Sequence, residues 1–174
     1  GAPEDLIIGI DEPTMDASGE LMAQCDLVVA TGGAGMVKAA YSSGTPAYGV
    51  GAGNVVVVVD ETADLKDSAH KIMLSKTFDF ATSCSADNNI VLLESVYDKM
   101  IGNLKAEGGY LCNSAEKAKL QAVVFPEGHL GREHVAQSAE KIASLAGIKV
   151  PEGTKFIMVE ESGQGPDHPF SGEK

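Results

Sequence analysis

Asp26-Leu-Val-Val-Ala-Thr31-Gly-Gly-Ala-Gly35-Met-Val-Lys-Ala-Ala-Tyr41 is the stretch that decides the fold. Its apolar run, Leu27 to Ala30, is too short for a helix and predicts a buried strand over Asp26 to Thr31. The glycines after Thr31 stop that strand, and Met36 to Tyr41 reads as a helix that ends near Ser43-Gly44. This is a strand, a glycine turn and a helix. Downstream, Thr45 to Val50 predicts another strand and Gly51-Ala52-Gly53-Asn54 a tight loop. Val55 to Val59 is five consecutive valines, the pattern of a strand buried on both faces. Upstream, Asp5 to Asp11 reads as a short buried strand, and Ser18 to Gln24 offers an N-cap and a short helix.

The alternation continues toward the C-terminus. Asp64 to Lys76 carries Leu65, Ala69, Ile72 and Met73 on one helical stripe and leads directly into the cysteine segment. Asn89 to Leu93 predicts a strand, and Val96 to Lys105 a helix stopped by Gly108-Gly109. Ala115 to Val124 and His134 to Leu145 predict two further helices, and Lys155 to Val159 a last strand. Glu160 to Lys174 is polar, rich in Gly and Pro, and reads as a loop. Strands alternating with helices imply an α/β protein with a parallel sheet covered on both faces. A change of composition near Phe78 to Ala86 marks a seam, which divides the chain into residues 1–77 and 78–174.

Composition narrows the function. The chain has 174 residues, 44% of them apolar, with 20 Gly and no Trp, as in a soluble Gly-rich α/β protein. A formal charge of −12 argues against binding nucleic acid or an anionic membrane, since either needs a basic face. Three cysteines at irregular spacing form neither a disulfide framework nor a zinc site, so a reducing, cytoplasmic setting is expected. No apolar run approaches the ~20 residues of a membrane span. The chain starts with Gly1 and not Met, which suggests a segment of a longer protein.

Two segments carry candidate chemistry. Thr31-Gly32-Gly33-Ala34-Gly35 opens a helix, where backbone N–H groups and absent side chains suit a pyrophosphate. It lacks the G-x-G-x-x-G spacing of the dinucleotide fingerprint, so a plain tight turn is the competing reading. Gly49 to Gly53 has a competing reading too, a close backbone crossing. The second segment is Thr77-Phe-Asp-Phe-Ala-Thr-Ser-Cys84-Ser-Ala-Asp-Asn-Asn89. Cys84 sits among small polar residues and is the candidate nucleophile, because a reactive thiol needs access and donors that favour the thiolate. Cys25 and Cys112 have apolar neighbours and read as core or near-core thiols. His70, His129, His134 and His168 show no metal-ligand spacing, so no metal is assigned.

From Asp26 to Asn54, then at Asp60-Glu-Thr-Ala-Asp64 and at Ser75-Lys-Thr-Phe-Asp79 ahead of Cys84, the sequence resembles the CoA-acylating aldehyde dehydrogenases. That group includes the aldehyde dehydrogenase half of bifunctional aldehyde–alcohol dehydrogenases. The likeness is specific from Asp26 to Cys84 and looser from Leu111 to Leu130. It implies a Rossmann-like dinucleotide-binding part in residues 1–77 joined to the start of a catalytic domain in 78–174. It also implies oxidation of a short-chain aldehyde to acyl-CoA, with NAD or NADP as cofactor and coenzyme A as co-substrate. The product would form through a thioester on Cys84. The resemblance places Thr31, Gly32, Gly33, Gly49 and Gly51 at the cofactor, and aligns Glu173 with the glutamate that holds the nicotinamide ribose. It further implies a homo-oligomer, possible fusion to an alcohol dehydrogenase domain, and a cytoplasmic location.

Gly49-Val50-Gly51-Ala52 corresponds to a segment that hydrolytic relatives write Glu-Leu-Gly-Gly, so their general-base glutamate is Gly49 here. Without that carboxylate water is poorly activated, and a thiol acceptor is favoured. Family members are longer, and the oxyanion-hole asparagine, the first strands of the nucleotide domain and the later catalytic domain have no counterpart in this chain. Two rivals stand beside the acylating reading. One is a hydrolytic aldehyde dehydrogenase, and the other is a non-catalytic nucleotide-binding or oligomerisation segment.

Overall fold

The strand–glycine–helix reading of Asp26 to Tyr41 is what the computed structural model shows. It describes residues 1–174 and divides them into two units, Gly1–Ala52 and Gly53–Lys174. In the first, α1 (Met15–Gln24) precedes β1 (Val28–Thr31), α2 (Ala34–Ser42) and β2 (Ala47–Val50). The strands are parallel, with Val28 opposite Ala47 and Thr31 opposite Val50, so both carboxyl ends lie on one side. Val28, Ala30 and Ala40 are the buried core, with Met22, Cys25 and Ala47 packed on them. Two of the three buried side chains are alanines, so this core offers little apolar area.

The second unit holds β3 (Val55–Val59), α3 (Leu65–Thr77), β4 (Asp87–Leu92), α4 (Tyr97–Ala106), β5 (Gly109–Leu111), α5 (Ser114–Val124), α6 (Ala139–Leu145) and β6 (Phe156–Met158). β3 pairs with β4 and β5 with β6, both in parallel. Asp64 starts α3 by accepting from the amides of Lys66 and Asp67, and Asn113 and Glu116 close a reciprocal capping box on α5. Ala69, Ile72 and Met73 of α3 pack with Met100 and Leu104 of α4, Val59 of β3 and Phe156 of β6. Met100 and Leu104 are fully buried, each contributing about 1.5–3 kcal/mol by the usual area relation. A second core gathers Cys112, Leu120, Val124, Phe125, Ala143, Ala146, Ile148 and Phe170. There Phe170, from the Gly- and Pro-rich tail, meets Phe125 edge to face with ring centroids 5.0 Å apart.

Several expectations are corrected. Asp5 to Asp11 is no strand: Leu6, Ile7 and Ile8 are exposed and no ladder partner lies beside them. An apolar run becomes a strand only where another strand takes up its hydrogen bonds. The first helix starts earlier than Ser18, because Thr14 is its cap and accepts from the Ala17 amide at 3.0 Å. The last helix starts later than His134. Ala136 has φ 58°, which breaks any helix across it, and Ser138 caps the remainder. β5 follows directly on Gly108, where only a helix stop was expected. The continuous sheet covered on both faces is replaced by three separate two-stranded parallel ladders. Accordingly β3 is buried on one face only. Val59 is 2% exposed, while Val56 and Val58 are 52% and 67% exposed, because helices pack on one side of the strand alone. The seam expected between residues 77 and 78 is not among these corrections: it lies at the end of α3, within the second unit, and a division by compactness does not bear on which residues serve which role.

Candidate active site

In the first unit, Thr31, Gly32 and Gly33 run from the carboxyl end of β1 into the N-terminus of α2. The Gly32 amide donates to the Val50 carbonyl at 3.0 Å, which ties this turn to the end of β2. Gly33 is the N-cap, has ordinary extended dihedrals, and supplies no side chain to the helix amides. A Cβ placed on Gly33 or Gly35 would meet nothing within 4 Å. The fold therefore makes no demand for glycine at these two positions. Uncapped amides behind an open surface form a place where an anion can approach.

Gly49 is the opposite case. A Cβ there would lie 2.6 Å from Val37 Cγ1 and 2.9 Å from Tyr41 Cε2, and the Gly49 amide donates to the Tyr41 hydroxyl at 3.0 Å. The side-chain position at 49 is filled by α2, so the close-crossing reading applies here. Gly51 has open space around it.

In the second unit, α3 delivers the cysteine loop through an unusual turn. Asp79, Phe80 and Ala81 have φ of 48°, 52° and 62°, three consecutive non-glycine residues in left-handed conformation. Each costs on the order of 1–2 kcal/mol, so the turn is held by its surroundings and not by its own preference. The Asp79 carbonyl accepts from both the amide and the hydroxyl of Thr82, at 3.1 and 2.5 Å. Ser83 and Ser85 bond to each other at 2.9 Å, and the Ser75 hydroxyl accepts from the Asp87 amide. The loop's hydroxyls are thus spent on its own shape. The Cys84 side chain is exposed and takes part in no hydrogen bond of this chain. Phe78 and Phe80, 69% and 58% exposed, lie in the same turn. Phe80 and Ala81 border a cleft of about 1140 Å³ that Ile157 and Phe170 also line.

The Cys84 loop is packed against the start of β3. A Cβ on Gly53 would sit 2.9 Å from the Cys84 carbonyl oxygen, so the two backbones touch where only glycine fits. Next to it, the Asn54 amide donates to the Ser171 carbonyl at 2.8 Å and accepts from Asn89 Nδ2 at 2.7 Å. Asn89 Nδ2 also reaches the Ser171 carbonyl at 3.0 Å. Val55 pairs with Asp87 and Val56 with Asn89, which leaves Asn88 as the extra residue of a β-bulge. Asn88 Oδ1 accepts from Lys76 Nζ at 2.9 Å and from the Lys174 amide at 3.3 Å. Lys174 Nζ donates to the carbonyls of Phe170, Gly172 and Asn88. Burial pushes the Lys174 ammonium down to about 8, with Lys76 adding repulsion, and burial lowers Lys76 as well. Glu173 is half-buried between these anchored residues.

Of the residues expected at a site, the structure joins Thr31 and Gly32 to the end of β2, and it links the loop of Cys84 to the segment of Glu173. Gly53, Asn54, Asn88 and Asn89 were not singled out from the sequence for any role in that link. The tight-loop signature at Gly51 to Asn54 was the available signal, and it did not say what crosses there.

No family model matches the chain. Over its full length it is 48% identical to a sulfoacetaldehyde dehydrogenase (acylating) from Cupriavidus necator and 47% identical to the bifunctional aldehyde-alcohol dehydrogenase AdhE of Escherichia coli. It spans only 36% and 20% of those proteins. The acetylating aldehyde dehydrogenase of Geobacillus thermoglucosidasius superimposes on all of this chain with a TM-score of 0.95 at 43% identity, over 39% of its own length. A propionaldehyde dehydrogenase from Rhodopseudomonas palustris has been solved with bound CoA and an acylated cysteine. It covers 97% of this chain and 39% of itself, with a TM-score of 0.87 at 35% identity. An engineered glycolyl-CoA reductase with bound NADP+ covers 97% of this chain and 38% of itself, with a TM-score of 0.87 at 36% identity. The homologues of this chain are acylating aldehyde dehydrogenases, and its α/β fold is theirs.

Proposed function

We propose that this chain belongs to an NAD(P)-dependent enzyme that oxidises a short-chain aldehyde to acyl-CoA, with Cys84 as the nucleophile. The observation that carries the reading is at position 49. Val37 and Tyr41 fill the space a side chain would take, and Tyr41 engages the backbone amide, so no carboxylate stands there to activate water. Coenzyme A, named for the Rhodopseudomonas relative, is the acceptor that needs no such base.

The Cys84 thiolate adds to the aldehyde carbonyl, giving a thiohemiacetal whose oxygen is stabilised by the Cys84 backbone N–H, which has no partner in this chain. Bound NAD(P)+ would supply the acceptor for the hydride on that carbon. Cys84 is then left as a thioester, the CoA thiol attacks it, and acyl-CoA leaves as the Cys84 thiolate returns. The balance is aldehyde, NAD(P)+ and CoA thiol to acyl-CoA, NAD(P)H and a proton. Thr31, Gly32, Gly33 and Gly51 serve the cofactor, with open space at Gly33 and Gly51, and the α2 amides suit its pyrophosphate. At Gly49 the role is to stay without a side chain. Glu173 takes the ribose hydroxyls by its carboxylate.

On this reading residues 1–77 serve the nucleotide and 78–174 carry the reacting cysteine. The parent is a cytoplasmic homo-oligomer, either free-standing or, like the Escherichia coli relative, joined to an alcohol dehydrogenase. The test is product analysis in the full-length enzyme with aldehyde and NAD(P)+, with and without coenzyme A. Acyl-CoA that depends on both coenzyme A and Cys84 is the expected result. Free acid at equal rates in both arms, with no acyl-CoA, points to a hydrolytic enzyme and overturns the reading.

A further inference from the structure

We propose that Asn89 and Asn54, with the bulged Asn88, are positioning residues that lock the segment carrying Glu173 onto the loop carrying Cys84. The inference rests on the roles given above to those two residues. Three stretches distant in sequence meet at Asn54: its neighbour Gly53 touches the Cys84 carbonyl, its side chain holds the Ser171 carbonyl, and it receives the Asn89 amide. Asn89 grips the same Ser171 carbonyl. One residue before it, Asn88 binds the Lys174 amide, so the tandem asparagines fasten the tail on both sides of Gly172-Glu173. The bulge makes this possible. It adds a residue to β4 without shifting the pairing of Ile90 and Val91 with Val57 and Val58, and so frees Asn88 from the ladder.

The Asn54 bonds are poorly placed to stabilise the fold and well placed to set a distance. Asn54 is exposed, and exposed hydrogen bonds exchange readily with water. What they join are two segments, each bearing a group assigned to the same reaction, where small displacements are costly. The clasp is therefore expected to show in catalysis and cofactor affinity more than in melting temperature.

The experiment uses the full-length enzyme with Asn89→Ala, Asn54→Ala, the double variant and Cys84→Ala. Asn89→Ala and Asn54→Ala are each expected to lower kcat for acyl-CoA formation by about 10-fold and to weaken NAD(P)+ binding, read by fluorescence titration, by about 5-fold. The KM for coenzyme A should stay unchanged, and the isotope effect with 1-deuterated aldehyde should rise as hydride transfer becomes limiting. In the cofactor-free enzyme the iodoacetamide rate at Cys84 should shift by about 3-fold or more, and the double variant should be about as impaired as one single, since the side chains share one junction. Unchanged kcat, isotope effect and cofactor affinity in folded Asn54→Ala and Asn89→Ala, while Cys84→Ala is inactive, overturns the clasp alone. Full acyl-CoA formation by Cys84→Ala overturns the assigned reaction and the clasp together.

Discussion

The region around Cys112 and the loop around Cys84 treat the same side chain in opposite ways. Cys112 is 7% exposed, packed with Leu120, Val124 and Phe170, and its amide donates to the Met158 carbonyl at 2.9 Å. Burial, with the Glu116 charge as a second cause, pushes its thiol up to about 11. Cys84 is exposed on a strained turn, and neither its packing nor its hydrogen bonds serve the fold. The glycines of the first unit repeat the contrast. Gly49 is required by Val37 and Tyr41, while Gly33 and Gly35 face open space. A small or reactive residue that the fold uses is explained by packing, and one that the fold leaves alone needs another explanation.

The sharpest way to break this contrast is chemical. At pH 8 a thiol titrating near 11 is ionised to roughly one part in a thousand, so Cys84 is expected to alkylate at least about 100-fold faster than Cys112. Peptide mass spectrometry after limiting iodoacetamide measures the ratio, and preferential labelling of Cys112 would undo it. The same thiol makes stability fall as pH rises from about 8.5 to about 11, because over that window the unfolded chain loses the proton first. Next in size is Gly49→Glu. A Cβ 2.6 Å from a β-branched side chain, over a core of one valine and two alanines, should cost about 2–3 kcal/mol by thermal denaturation. A neutral, folded variant that releases free acid would instead show that α2 can yield to a carboxylate.

Gly53→Ala comes third. The Cys84 carbonyl must move aside, and displacement of the proposed nucleophile by a fraction of an ångström to an ångström predicts a loss of about 10- to 100-fold in acyl-CoA formation by the full-length enzyme. Far-ultraviolet circular dichroism should remain unchanged. Gly33→Val should fold normally, since nothing lies within 4 Å, and should bind NAD(P)+ about 10-fold more weakly by fluorescence titration. Unaltered affinity would reduce that turn to a connection. The smallest effect is Gly35→Ala. Within α2 it should raise stability by about 0.5–1 kcal/mol in a melting curve, as alanine gains over glycine in open helix positions.

The sequence was informative where one segment sufficed. The stripe of Ala69, Ile72 and Met73 foretold the buried face of α3, and Val55 to Val59 foretold the span of β3. Five valines do not say how many faces are covered, since that depends on which other elements arrive. Leu6 to Ile8 misled for the same reason, and β5 was missed because Gly109 to Leu111, three residues that begin with a glycine, become a strand only through β6. At the candidate site, the polar surroundings of Cys84 were readable. The left-handed turn at Asp79 to Ala81 was not, because no glycine announces it. Nor was the clasp, whose partners stand 35 and 82 positions apart and share no period.

The two-stranded ladders bear on how this chain behaves in concentrated solution. Each of the six strands has one hydrogen-bonded neighbour, so each presents an unpaired edge. Val29, Tyr48, Val56 and Val58 also turn apolar side chains outward from those strands. Such edges invite strand addition from another molecule. A net charge of −12 opposes that encounter at neutral pH, and the opposition fades as acid approaches the isoelectric point near 4.6 or as salt screens it. Colloidal stability of the isolated 174 residues thus depends on charge repulsion more than on a closed β-architecture, and light scattering across pH 7 to 5 should rise steeply where the repulsion fails.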